Sequence, residues 1–256
     1  MTTIHHSLHL APVISAQLGD SREEMLRLIK LHNLVVLPIV DSDGRLVGTF
    51  SWDNAMGVVV EEATEDFHKG ALIGTHIGNM RTATVNLLYR KRVLWLVLLV
   101  FGNLFSGAGI AAFEDVIAAN IALVFFLPLL VDSGGNAGAQ SATLMVRALA
   151  TGEVVLGDWL RLLKRECAIA LALGLTMAVA VASLGVLRGG PDIALIVASS
   201  MLIIVLLGSL IGMSLPFLLS RMKFDPATAS GPLITSIADA AGVLVYFGIA
   251  SQVLEL

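Results

Sequence analysis

Val93-Leu94-Trp95-Leu96-Val97-Leu98-Leu99-Val100-Phe101-Gly102-Asn103-Leu104-Phe105-Ser106-Gly107-Ala108-Gly109-Ile110-Ala111-Ala112-Phe113 runs for 21 residues without a charge and stops at Glu114-Asp115. A helix rises 1.5 Å per residue, so about 20 apolar residues cross the ~30 Å hydrocarbon core of a bilayer. The run therefore predicts a transmembrane helix. Four more follow it. Val116–Val131 is apolar, is interrupted by Asp132 and the Gly134-Gly135 pair, and resumes through Val146. Cys167–Leu187, Ile193–Ser220 and Pro226–Leu254 complete the set, with Asp239 the only charge in the last. Residues 93–256 are thus expected to form an all-α polytopic membrane domain of five transmembrane helices.

Composition agrees. Hydrophobic residues make up 56% of the chain and charged residues only 14%, with a mean hydropathy of +0.86; soluble domains carry about 25% charge. All six histidines lie before residue 93, which marks off a small extramembrane piece. No basic cluster interleaved with aromatics is present, so nucleic acid is not an expected partner. The single cysteine, Cys167, lies in an apolar run and reads as a small buried hydrophobe. The first thirty residues lack the basic, apolar and small-residue order of a cleaved signal peptide.

The flanking charges orient the spans. Arg81, Arg90, Lys91, Arg92, Arg147, Arg161, Lys164, Arg165, Arg221 and Lys223 fall on one side, and only Arg188 on the other. Cytoplasmic loops carry the excess of Lys and Arg, so a multi-pass protein of a bacterial inner membrane is expected, with the N-terminus cytoplasmic and the C-terminus external.

Residues 11–66 read as a small α/β unit. Ser21 is placed to cap a helix, with Glu24 at the capping-box spacing and Met25, Leu28 and Ile29 on one face. Val35–Val40 is a strand, Asp41–Gly44 a turn and Leu46–Phe50 the returning strand. The stretch Leu37-Pro38-Ile39-Val40-Asp41-Ser42-Asp43-Gly44-Arg45-Leu46-Val47-Gly48, followed by Asp53, resembles the second repeat of a cystathionine-β-synthase (CBS) pair. Such repeats work in pairs, which implies pairing with a second copy of the chain. The resemblance places Gly48, Ser51 and Asp53 where an adenine nucleotide's ribose can be contacted, but with half the pair missing nucleotide binding is not expected. Residues 1–10, with His5, His6 and His9, are expected to be a flexible tail, and 67–92 a connecting helix. Glu61, Glu62, Glu65 and Asp66 cluster between them; oxygen ligands suit a hard cation such as Mg²⁺, although a solvated helix face is the commoner use.

Inside the membrane, an ionised side chain costs about 2.5–3.5 kcal/mol at the bilayer centre, which makes Asp132 and Asp239 functional candidates. Pro232, Thr235, Ser236, Gly242, Val243 and Tyr246 lie three, four or seven residues from Asp239, along one helix face. Asp132 begins a second stripe with Gly135, Asn136, Ala139, Gln140 and Thr143. No Lys or Arg lies within the five expected spans, so Asp239 has no internal counter-ion there. Mg²⁺ dehydrates reluctantly, and a ring of Asp239, Asn136 and oxygens near Thr235 would accept it with its waters. Ser106, Thr176 and Ser209 are instead expected to be glue between helices, and Gly208 and Gly212 a close-packing pair.

The run Phe126-Leu127-Pro128-Leu129-Leu130-Val131-Asp132-Ser133-Gly134-Gly135-Asn136-Ala137-Gly138-Ala139-Gln140-Ser141-Ala142-Thr143 closely resembles the second-span signature of the MgtE magnesium channels. Asp225-Pro226-Ala227-Thr228-Ala229-Ser230-Gly231-Pro232-Leu233, leading to Asp239, resembles their fifth span. The likeness implies a homodimer conducting Mg²⁺ near its two-fold axis, with Asp239 as principal pore ligand and Gly134 to Gly138 shaping the pore. It also implies a cytosolic Mg²⁺ sensor, for which Glu62, Glu65 and Asp66 are the remaining acidic residues. Against the family pattern, the sequence reads as a short form without the N-terminal helical domain and first CBS repeat.

Three other readings compete. An ion-coupled cation transporter also uses broken helices, but no inverted repeat is visible. An intramembrane aspartyl protease pairs two aspartates, but neither Asp132 nor Asp239 has a Gly-x-Gly-Asp context. A non-conducting regulatory remnant would not need both pore motifs.

Overall fold

In a computed structural model of the chain, residues 13–71, 73 and 81–255 are described, Glu23 and Glu62 by their backbone alone. The tail with His5, His6 and His9 lies outside the described residues, as does most of 72–80. The chain divides into two compact units, the first ending at Glu65 and the second beginning at Asp66.

Strand β1 (Ala16–Gln17), helix α1 (Arg22–His32), strands β2 (Val36–Val40) and β3 (Leu46–Ser51) and helix α2 (Trp52–Gly70) follow one another, and the first unit ends within α2. The sheet order is β1-β2-β3, β1 parallel and β3 antiparallel to the central strand. Ser21 caps α1 by accepting from the Glu24 N–H at 3.2 Å. The other half of the expected capping box is missing, because the Glu24 carboxylate turns to Arg27 instead, at 2.6 and 2.8 Å. The hairpin turns where Asp41 Oδ1 accepts from the N–H groups of Asp43 and Arg45, and Gly44 takes a φ of 77° that favours glycine. Ala16, Met25, Leu26, Ile29, Leu37, Phe50, Ala55 and Val58 form the small core.

The second unit is helical. Helix α3 (Val85–Ala111) starts at a Thr84 cap; α4 (Glu114–Ala119) is a short turn; then come α5 (Ala122–Ala150), α6 (Trp159–Arg221) and α7 (Gly231–Val253). Among the described residues, four helices are long and apolar enough to span a membrane. The third of these accounts for two of the five expected spans. At 63 residues, α6 would reach about 95 Å if straight, some three bilayer cores. It breaks at Gly190, whose φ of 81° and ψ of −169° are non-helical, just before Pro191. The arms fold back on each other: a methyl group at Gly185 would lie 2.6 Å from Ala194 Cα, and one at Gly174 would lie 3.0 Å from the Leu202 carbonyl oxygen.

Two boundaries differ from expectation. The apolar run at 116–131 is not continuous helix: α4 ends at Ala119, and Asn120 is extended before α5 begins. Asn120 Oδ1 accepts from the Ala122 N–H, a local bond that competes with continuing the helix. Nor is 67–92 one connecting helix, since α2 stops at Gly70 and α3 begins at Val85. The core of this unit gathers Leu123, Phe126 and Leu130 of α5, Ile196, Val197, Ile204 and Val205 of α6, and Tyr246 and Phe247 of α7.

Candidate ion pathway

Glycines bring α5 and α6 to backbone contact and seat side chains of α7 against α5. A side chain at Gly208 would collide with the carbonyl of Gly134, and one at Gly212 with that of Gly138. The pairs advance together by four residues, so α5 and the second arm of α6 run parallel, joined by a small-xxx-small seam on each helix. The close packing expected of Gly208 and Gly212 is present, and Gly134 and Gly138 prove to be its other half.

The α5–α7 contact runs the opposite way. A methyl group at Gly231 would meet Ala139 Cβ at 3.9 Å, and one at Gly135 would meet Thr235 Cγ2 at 2.9 Å. These contacts step four residues up one helix and four down the other. One further step brings residues 131 and 132 level with Asp239. This register brings the two intramembrane aspartates, separated by 107 positions in sequence, to about one height.

Their surroundings differ. Asp132 is exposed, and its Oδ2 accepts from Asn136 Nδ2 at 2.9 Å. Asp132, Asn136 and Gln140 are spaced by four and all exposed, a polar stripe along one face of α5. Asp239 is half-buried, and its Oδ1 is fully buried without a hydrogen-bond partner among the described residues. A buried carboxylate oxygen left unpaired is costly, so this group is poised to accept from something not supplied by its own neighbours, such as a water of a hydrated cation.

The rest of each expected stripe divides. Thr235 and Ser236 are half-buried beside Asp239, but the Thr235 hydroxyl donates to the Gly231 carbonyl at 3.0 Å and its methyl faces Gly135. The hydroxyl oxygen keeps both of its lone pairs for accepting. Gly242, Val243 and Tyr246 turn into the core rather than toward a path. Tyr246 is fully buried, donating from its hydroxyl to the Leu123 carbonyl at 2.9 Å. Tyr246 lies within about 20° of Asp239 around the helix but two turns further along it, where the hydroxyl finds its partner in the first turn of α5. Thr176 donates to the Ala172 carbonyl within its own helix. Ser209 is buried, and Ser106 Oγ has no partner among the described residues.

Among the described residues no group of three or more His, Cys, Asp or Glu side chains is placed to hold a metal. Glu61 pairs with Arg22 at 3.7 Å; the Glu62 side chain lies outside the described residues; Glu65 and Asp66 each have other partners. A cleft of about 480 Å³ lined by Trp159, Ser214, Leu218, Arg221 and Ile237 is mostly apolar and contains neither Asp132 nor Asp239.

One residue pair was not anticipated. Lys69 Nζ donates to Asp225 Oδ2 at 2.6 Å across 156 positions. Asp225 stands in the quoted fifth-span motif, but a lone Lys at the end of an amphipathic helix gives no local signal of its partner.

Comparison with known proteins places this geometry. Residues 127–249 match the family model MgtE, a divalent cation transporter. The magnesium transporter MgtE of Thermus thermophilus is 38% identical over 243 residues, covering 95% of this chain and 54% of that protein. That of Bacillus subtilis is 37% identical over 240 residues, 93% of this chain and 53% of its own length. That of Enterococcus faecalis is 30% identical over 244 residues, 94% of this chain and 52% of its own length. The chain spans about half the length of the curated relatives it matches. Nearly the whole length of the chain is thus similar to MgtE magnesium transporters, and residues 127–249, from within α5 to within α7, carry the MgtE domain.

Proposed function

We propose that this chain conducts Mg²⁺ across a bacterial inner membrane, into the cytoplasm, through a homodimeric pore whose principal ligand is Asp239. One observation carries the reading: the exposed polar stripe of Asp132, Asn136 and Gln140 on α5 stands level with the unpartnered carboxylate of Asp239 on α7. Lipid cannot cover such a face, because intramembrane charge is tolerated only against water or protein. A water-filled path shared with a second copy satisfies it. One Asp239 from each copy would then supply two negative charges, matching one divalent ion.

The chemistry suits a hydrated ion. Carboxylate and amide oxygens accept from Mg²⁺-bound water without stripping it, so Asp239 and Asn136 would act at the outer shell and the Thr235 hydroxyl would assist. The ten-to-one distribution of basic residues supports a cytoplasmic N-terminus. Magnesium is also the ion in the names of all three relatives.

The test is Mg²⁺ uptake into liposomes holding equal amounts of the chain or its Asp239→Ala variant. Uptake that follows the electrochemical gradient, needs no counter-ion and vanishes in the variant is the expected result. Uptake unchanged by the substitution would move the ion site elsewhere.

A further inference from the structure

Asp225 stands in the link between α6 and α7, and its carbonyl and both its carboxylate oxygens are engaged. Its Oδ1 accepts from the Ala227 N–H at 2.9 Å, and its carbonyl accepts from the Thr228 hydroxyl at 2.6 Å. Its Oδ2 takes the Lys69 ammonium at 2.6 Å. Lys69 lies in the last turn of α2, within the second unit. Beyond Asp225, the 3-10 turn Pro226–Thr228 packs on α5 and α6. Ala229 and Ile234 bury against Ala142, and Ser230 caps α7 by accepting from the Leu233 N–H. Asp239 follows Ser230 by nine residues, about 13 Å along the helix.

We propose that Lys69 is a positioning residue for the pore helix: by pinning the Asp225 carboxylate it fixes the link that aims α7, and so sets transport rate rather than ion affinity. Exposed ion pairs contribute little because two mobile side chains must be ordered together. Here that cost is reduced. The Asp225 rotamer is already set by its bond to Ala227, and the Lys69 side chain is only 23% exposed. The pair also acts at a strategic point. The link's other side-chain hydrogen bonds are local, and the Lys69–Asp225 bond ties it to an element far away in sequence.

This inference rests on the reading of α7 as the pore helix, and the experiment separates the two. Mg²⁺ uptake is measured in liposomes for the wild-type chain, Asp239→Ala, Lys69→Met, Lys69→Arg, Asp225→Asn and the Lys69→Met/Asp225→Asn double variant. Asn retains the oxygen that accepts from Ala227, so Asp225→Asn removes the ion pair while keeping the cap. Lys69→Met and Asp225→Asn are each expected to lower the maximal rate about five-fold, the scale of a partly buried pair, with the half-saturating Mg²⁺ concentration unchanged. The double variant should lose no more than either single one, and Lys69→Arg should stay within about two-fold of wild type. Wild-type rates in both Lys69→Met and Asp225→Asn, additive losses in the double variant, or an Arg variant as slow as Met would overturn the proposal. If Asp239→Ala still transports, the pore reading fails whatever Lys69 does. If Asp239→Ala is silent while the pair variants run normally, only the positioning role fails.

Discussion

Asp225 and Asp239 lie fourteen residues apart in one motif-rich segment, yet the molecule treats them in opposite ways. Around Asp225 both carboxylate oxygens are engaged, one by a backbone N–H and the other by an ammonium. Around Asp239 one oxygen is buried and bare. A saturated carboxylate holds the protein in place. An unsaturated one in the same bundle is costly to bury, and on that asymmetry rest the roles proposed for the two groups, scaffold and site.

The contrast is most sharply broken at Asp239. Asp239→Asn and Asp239→Ala should abolish Mg²⁺ uptake while raising thermal stability in detergent, since an unpaired buried carboxylate costs about 1–3 kcal/mol or more; a lower melting temperature would mean that the group has a structural partner after all. The seam behind it comes next. Gly212→Val would drive a side chain into the Gly138 carbonyl, and overpacking of about 1–3 kcal/mol or more is expected. Gly248→Val, where nothing stands within 4 Å, serves as the control, and equal melting temperatures for the two would deny that the seam is close-packed.

Smaller effects sharpen the scaffold side. Asp225→Ala loses both the cap and the ion pair and should fall below Asp225→Asn by about 0.5–2 kcal/mol, the cost of a lost cap. Equal stability of the two would assign the Oδ1 bond no weight. Tyr246→Phe removes only the bond to the Leu123 carbonyl and should cost about 1 kcal/mol, with uptake unchanged because the ring is part of the core and not of the path.

How much of this was legible beforehand follows from the range of each interaction. The hairpin of the first unit reads to within one residue, because Asp41, Gly44 and the alternating apolar residues act over two to five positions. The apolar runs mark the spans for the same reason, and Gly189-Gly190-Pro191 signals the break in α6. Asp132 and Asn136 pair at the helical spacing of four. What pattern alone does not give is height. That Asp132 and Asp239 share a level depends on how Gly135 seats Thr235, a contact across 100 positions. Tyr246 was misplaced because a hydroxyl on a polar-looking face can turn inward when a carbonyl is available there. The single-helix expectation for 67–92 failed at Gly70, where α2 ends.

The reversal within α6 bears on how the protein reaches its membrane. Gly190 and Pro191 turn the chain with almost no loop, and Gly185 already touches Ala194. Neither arm can complete its packing while the other is still outside the bilayer, so the two enter as a single hairpin. On the proposed orientation the tip that crosses carries only Arg188 and Asp192, which offset one another in charge, and Arg188 lies over the Phe125 ring at 4.3 Å. Insertion of the two arms together is the expected consequence for the biogenesis of this part of the membrane domain.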